Sequence, residues 1–315
     1  MTQRLDFACL GETMMQFVPE QGTTETAPQF TAHVAGAESN VAIGLARLGA
    51  STAWLSRVGA DAFGRRVRAH VAGQGVDVSL VTDDETHPTG VFFKQPTGEL
   101  RKVTYYRSGS AASAMDRTDA LRAIALAPRI LHLTGITAAL STTCDEAMTA
   151  ALASTHHSEP PTILSFDVNY RPALWPSIDL AARRLAELAA QADIVFVGLD
   201  EARHLWAVES AEDVYTLFDV PTLVVKDAPH RVTHFSAHTR VDLELPHVTV
   251  LESVGAGDAF AAGFLFGELM GWPALRQLRA GHVLAAIALG TFADQGDTIN
   301  GQELAEMTDE TAWAQ

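Results

Sequence analysis

The run Glu252-Ser253-Val254-Gly255-Ala256-Gly257-Asp258-Ala259-Phe260 sets a glycine hinge and one carboxylate at the mouth of a long apolar helix. Gly255 and Gly257 let backbone N–H groups turn toward one point, and the partial positive end of the helix that follows favours negative charge there. Asp258 falls in the first turn. Its carboxylate can reach a hydroxyl beside a bound anion and take the proton as the oxygen attacks phosphorus, which is the chemistry of phosphoryl transfer. The plainer reading of the same residues is a cap and a tight turn. The dinucleotide fingerprint fits poorly, because Phe260 stands where its third glycine would be. The Gly-Lys-Ser/Thr of a Walker loop does not occur.

The elements around that run must form a scaffold. Short apolar runs read as buried strands at Phe7–Leu10, Ala53–Val58, Ile130–Leu133, Thr162–Phe166, Ile194–Val197 and Leu223–Val225. Helical patterns lie between them at Asp61–Gln74, Thr143–His156, Leu180–Ala192 and Ala211–Phe218. This alternation predicts an α/β fold, with a mostly parallel sheet covered on both faces and ligands at the carboxyl ends of its strands. Met14–Val34 and Val91–Arg107 break the rhythm with mixed polar strands and turn signals at Pro19-Glu20-Gln21-Gly22 and Pro96-Thr97-Gly98. They predict a small accessory sheet, the second segment being a hairpin of Val91–Gln95 and Arg101–Arg107, set over the main sheet as a lid. The last third reads as helices Asp258–Met270, Pro273–Ala293 and Gly301–Met307.

With 315 residues, 47% of them hydrophobic, the chain can bury a full core. A net charge of −16 argues against holding nucleic acid or an anionic membrane by bulk electrostatics. Two cysteines, Cys9 and Cys144, suggest neither a disulfide framework nor a zinc cluster, and no run approaches the length of a membrane span. A reducing cytoplasm is the expected setting.

The Gly255-Ala256-Gly257-Asp258 signature, the Ala35-Gly36-Ala37-Glu38-Ser39-Asn40 segment ahead of Ala42–Gly49, and the α/β order together resemble the PfkB, or ribokinase-like, sugar kinases over nearly the whole chain. Three further segments look like the 2-keto-3-deoxygluconate kinases of that family. They are Gly11-Glu12 with Met14–Pro19, Tyr105–Ala111, and Phe166–Pro172 ahead of Leu174-Trp175. The resemblance implies a three-layer sandwich in one domain, residues 1–315, with a β-sheet lid from about 12–36 and 88–109. It implies ATP and Mg2+ as cofactors, with a monovalent cation as a further candidate. By resemblance, Gly36 and Asn40 hold sugar hydroxyls, Phe92 occupies a lid position that faces substrate, Lys226 with Gly255 and Gly257 lines the nucleotide, Glu201 supports magnesium through water, and Asp258 is the base. The amides of Gly255, Ala256, Gly257 and Asp258 would stabilise the transferred phosphoryl group.

The residues themselves also point to an acidic substrate. Positions 105 and 107 of a strand share one face, offering a phenol and a guanidinium. Arg107 and, beyond a strand end, Arg171 can bind a carboxylate through a planar fork that a neutral sugar does not need. Each arginine could instead bridge to an acidic neighbour, Tyr105 could equally pack under the lid, Asn40 could cap a helix at Val41–Leu48, and Glu201 could serve a helix dipole. The chain departs from the family at Gly198, where an asparagine is usual, and at Lys226-Asp227-Ala228-Pro229-His230-Arg231, where a glycine-containing turn is usual. A fructokinase or another sugar kinase is the enzymatic alternative, and a sugar-binding regulator on a degenerate kinase scaffold the non-enzymatic one. Pairing of lids in a homodimer or larger homo-oligomer would protect the lid's edge and apolar face.

Overall fold

The computed structural model describes residues 4–95, 103–155, 160–237, 239–245, 255–290 and 299–313. The strands, in chain order, are β1 (Phe7–Leu10), β2 (Met14–Pro19), β3 (Phe30–Ala35), β4 (Thr52–Leu55), β5 (Arg57–Gly59), β6 (Thr82–Asp84) and β7 (Val91–Lys94). They continue with β8 (Val103–Tyr106), β9 (Ile130–Thr134), β10 (Ile163–Asp167), β11 (Ile194–Gly198), β12 (Thr222–Asp227), β13 (Arg231–Ser236) and β14 (Thr239–Glu244). Among the described residues these make an eight-stranded sheet in the order β14-β13-β12-β11-β10-β9-β1-β4, a four-stranded sheet β3-β2-β7-β8, and the pair β5-β6.

Alternation along each central strand sends side chains into two separate cores. Phe7 and Cys9 of β1, Trp54 of β4 and Phe196 of β11 enter one, with helices Ala37–Arg47, Ala256–Leu269 and Ala274–Leu289. Ala8 and Leu10, Leu55, and Val195 and Val197 enter the other, with helices Thr142–Thr155 and Ile178–Ala189. A sheet apolar on both faces must be covered on both, which gives three layers. Each fully buried Phe or Leu contributes roughly 1.5–3 kcal/mol. Helices Ala256–Leu269 and Ala274–Leu289 approach closely at Gly263, where an added Cβ would lie 2.3 Å from the Ala280 carbonyl oxygen.

β12 through β4 run parallel, whereas β13 and β14 add antiparallel strands at one edge. Their charged and polar residues had hidden them from the sequence reading. The chain leaves β1 for β4 on one side and returns to β9 on the other, so the crevice opens at the carboxyl ends of β1 and β9. The expected strand Ala53–Val58 is in fact two, because Ser56 ends β4 and β5 pairs with β6 instead. The expected hairpin is present as antiparallel β7 and β8, while its Pro-Thr-Gly turn lies outside the described residues. His156 and residues 291–293 of the expected helix Pro273–Ala293 lie outside them too. No helix among the described residues is long and apolar enough to cross a membrane.

Candidate active site

Helix Ala256–Leu269 starts at Gly255, whose φ of 84° is left-handed and natural only to glycine. The Ala259 N–H is the first to bond back, to the Gly255 carbonyl at 2.9 Å. The amides of Ala256, Gly257 and Asp258 therefore have no intrahelical partner and project from the positive end of the helix. Helix Ala37–Arg47 starts at Gly36, not at Asn40 as a cap reading would have it; Asn40 lies one turn inside. From there its Nδ2 donates to Asp258 Oδ2 at 2.9 Å, linking residues 218 apart in the chain.

Both helix starts border a cavity of about 390 Å3, within the size range of small-molecule sites. Gly36, Asn40, Phe92, Tyr105, Arg107, Arg171, Glu201, Lys226, Gly255, Gly257 and Asp258 all line it. Of the residues singled out from sequence, Ala256 alone does not. The main sheet forms the floor and the small sheet one wall, with Phe92 and Tyr105 in contact at 5.3 Å between ring centroids. These two are directly paired across β7 and β8, which puts them on one face.

Burial pushes the Asp258 carboxyl up to about 7, with the Asp167 and Glu38 charges adding to the shift and the Asn40 hydrogen bond and Arg171 opposing it. A carboxyl poised near neutrality is suited to accepting a proton. Glu201, three residues after Gly198, accepts from the Gly198 N–H at 3.0 Å and the Tyr170 N–H at 3.1 Å. It therefore caps its helix and lines the cavity at once. Burial first and Asp167 second hold its carboxyl above the ordinary range. Among the described residues no cluster of three His, Cys, Asp or Glu suits a metal ion. With both its oxygens engaged by amides, Glu201 fits a partner reached through metal-bound water, the mode magnesium favours.

Arg171 has an exposed side chain; its Nη1 donates to the Tyr170 carbonyl at 3.0 Å and lies 3.7 Å from Glu201 Oε1. Arg107 is different. It follows the end of β8, is nearly fully buried, and donates through Nε to Glu12 Oε2 at 2.6 Å, with Nη2 meeting the same oxygen. Ser110 Oγ donates to the other Glu12 oxygen. One edge of the Arg107 fork is therefore already taken by the kind of acidic neighbour that the sequence reading had left open. Replacing Arg107 by Met should cost about 3–5 kcal/mol of stability by leaving Glu12 buried and uncompensated. Urea unfolding checks this, and adding Glu12→Gln should recover part of the loss.

Sequence reasoning missed Glu12 and Asp167 as members of the site. Glu12 follows β1 at the crevice, and that position was the available signal. Asp167 ends β10 and accepts from Lys226 Nζ at 3.0 Å, a partner more than fifty residues away that no spacing rule reveals.

The profile described as pfkB family carbohydrate kinase matches residues 4–299. A 2-dehydro-3-deoxygluconokinase of Bacillus subtilis is 33% identical, over 96% of this chain and 95% of its own. One from Thermoproteus tenax is 31% identical, over 96% and 94%. The crystal structure of a PfkB protein from Polaromonas sp. JS666 superposes with a TM-score of 0.86 at 34% identity, covering 96% of this chain and 99% of that one.

Proposed function

The chain belongs to the pfkB family of carbohydrate kinases, phosphotransferases with an alcohol acceptor, and on that premise we propose that it phosphorylates the primary hydroxyl of 2-keto-3-deoxygluconate with ATP, giving the 6-phosphate. The observation that carries the reading is the meeting of Asp258, held by Asn40, with Arg107 and Arg171 in one cavity at a glycine-capped helix start. Asp258 takes the hydroxyl proton. The oxygen bonds to the γ-phosphorus as the bond to the β–γ bridging oxygen breaks, its electron pair leaving with ADP. The amides of Ala256, Gly257 and Asp258 point at the charge that gathers on the transferred group. Glu201 would hold Mg2+ through one of the ion's waters, and the ion would supply positive charge to offset that of the nucleotide phosphates. Arg171, which has the weaker internal partners, meets the substrate carboxylate, and the outer edge of Arg107 assists.

The small sheet acts as a lid that excludes water as a competing acceptor. Its other face carries Phe93 in ring contact with Phe17, Phe30 and Tyr106, and Tyr106 is 64% exposed. Such a face favours pairing with a second copy, so light scattering should give twice the mass of the chain.

The fructokinase reading retains one observation in its favour: Glu12 neutralises Arg107. Locating the new phosphate separates mechanism from coincidence. After incubation with ATP, magnesium and 2-keto-3-deoxygluconate, phosphorus–carbon coupling in the NMR spectrum should appear at the terminal carbon. Phosphate on a ring or secondary oxygen, or no phosphorylated product, would refute the reading.

A further inference from the structure

Lys226 sits at the carboxyl end of β12, beside the Gly255–Asp258 turn. Its Nζ lies 3.7 Å from where a Cβ on Gly257 would be, so the ammonium stands against the amide cradle of helix Ala256–Leu269. Asp167 Oδ2 holds it at 3.0 Å, the Phe196 ring lies under it at 5.9 Å, and its side chain is only 17% exposed. The Asp167 carboxylate is itself fixed, since Oδ1 accepts from the Asn169 N–H at 3.2 Å. This is a lysine with a set position, not one ranging over a surface.

The charges around it define its task. The site also holds the carboxyl groups of Asp167, Glu201 and Asp258, a surrounding that repels nucleotide phosphates when ionised. An ammonium has three N–H donors, and Asp167 takes one. Two donors remain on an ammonium that stands beside the cradle amides. We propose that Lys226 is the catalytic cation that meets the γ-phosphoryl oxygens during transfer, and that Asp167 is the positioning residue that holds it there. The proposal rests on the kinase reading of this site and adds a role for a residue pair within it. Lys226 gains and loses no proton in the step: Asp258 receives the hydroxyl proton, the new P–O bond forms, and ADP departs with the electron pair of the old one. The ammonium stabilises charge spread over the three equatorial oxygens, where a fixed cation acts more strongly than in water.

The test compares wild type with Lys226→Met, Lys226→Arg and Asp167→Asn, using ATP, magnesium and whichever sugar the wild type phosphorylates. A wrong substrate class shows in the wild type alone, whereas failure of this proposal shows only in the ratio of variant to wild type. Lys226→Met should lower kcat by about 100- to 1000-fold, as loss of one fixed transition-state donor does, with the sugar KM within about twofold. Lys226→Arg should restore at least tenfold, and Asp167→Asn, which keeps the ammonium but frees it, should lower kcat roughly tenfold. Calorimetry adds a direct reading. ADP with aluminium fluoride and sugar, a mimic of the planar phosphoryl group, should bind wild type more tightly than ADP alone, and Lys226→Met should lose that extra tightness while binding ADP normally. If ADP and ADP–aluminium fluoride weaken together and Lys226→Arg restores nothing, the pair merely ties strand ends together and the proposal fails. Should Lys226→Met not fold, the arginine and asparagine variants carry the same two comparisons.

Discussion

Asp258→Asn is expected to reduce kcat by about 10²- to 10⁴-fold, the usual span for loss of a general base, with KM values for nucleotide and sugar changed only a few-fold. The asparagine keeps the shape and can still accept from Asn40 Nδ2, which now donates to Asp258 Oδ2 at 2.9 Å. What it cannot do is take a proton. In the wild type the carboxyl is pushed up to about 7, chiefly by burial. A base works ionised, so kcat should rise with pH and level off above about 7, and this acid limb should vanish from the residual activity of the variant. Stability should move the opposite way. An aspartate in the unfolded chain ionises near 3.9, so between that pH and about 7 the folded protein binds the proton and the unfolded one does not. Wild-type stability is therefore lost as pH rises through this window, with the full cost present above it. The melting temperature of Asp258→Asn relative to wild type should climb from pH 4 to pH 8. A variant that keeps more than a tenth of the wild-type kcat would remove Asp258 from the role of base.

Arg171→Met is expected to raise KM for the sugar acid roughly tenfold to a hundredfold, since a hydrogen bond to a charged group contributes about 1.5–3 kcal/mol. The kcat at saturating substrate should change little, and fructose should be used no worse than before. The fold should tolerate the change, because Arg171 is 46% exposed on its side chain and its ion pair with Glu201 is long, 3.7 Å. A second readout ties the two predictions together. Arg171 is among the charges that favour ionised Asp258, so removing it should move the acid limb of kcat to higher pH. Equal KM changes for the acid and for fructose would mean that Arg171 shapes the pocket without reading a carboxylate.

The contrast between the two arginines shows what the sequence does and does not disclose. Period and composition foretold the parallel core, because β1, β9, β10 and β11 are nearly continuous apolar runs, and the glycine-framed start of helix Ala256–Leu269 announced itself by residue type. β13 and β14 were missed because polar residues dilute the pattern, Thr233 and His234 inside the mostly buried β13 and charged residues along the exposed edge strand β14. The side chains that line the cavity could be gathered because strand ends in an α/β sheet converge on one edge. Their partners could not. Glu12 with Arg107, and Asp167 with Lys226, are contacts between distant segments, and each changes the chemistry expected of the basic residue. The Arg107 guanidinium proves half engaged by Glu12, and Lys226, read as a nucleotide contact, proves to be held by Asp167.

The central claim is that this cavity transfers phosphate to a sugar acid. It is tested most directly by coupled ADP release with ATP and magnesium across 2-keto-3-deoxygluconate, 2-keto-3-deoxygalactonate, gluconate, fructose and ribose. The predicted result is a kcat/KM for the keto-deoxy acids at least a hundredfold above that for fructose or ribose. A preference for fructose or ribose would contradict the acid pocket, and absence of turnover across the panel would contradict the proposed reaction itself.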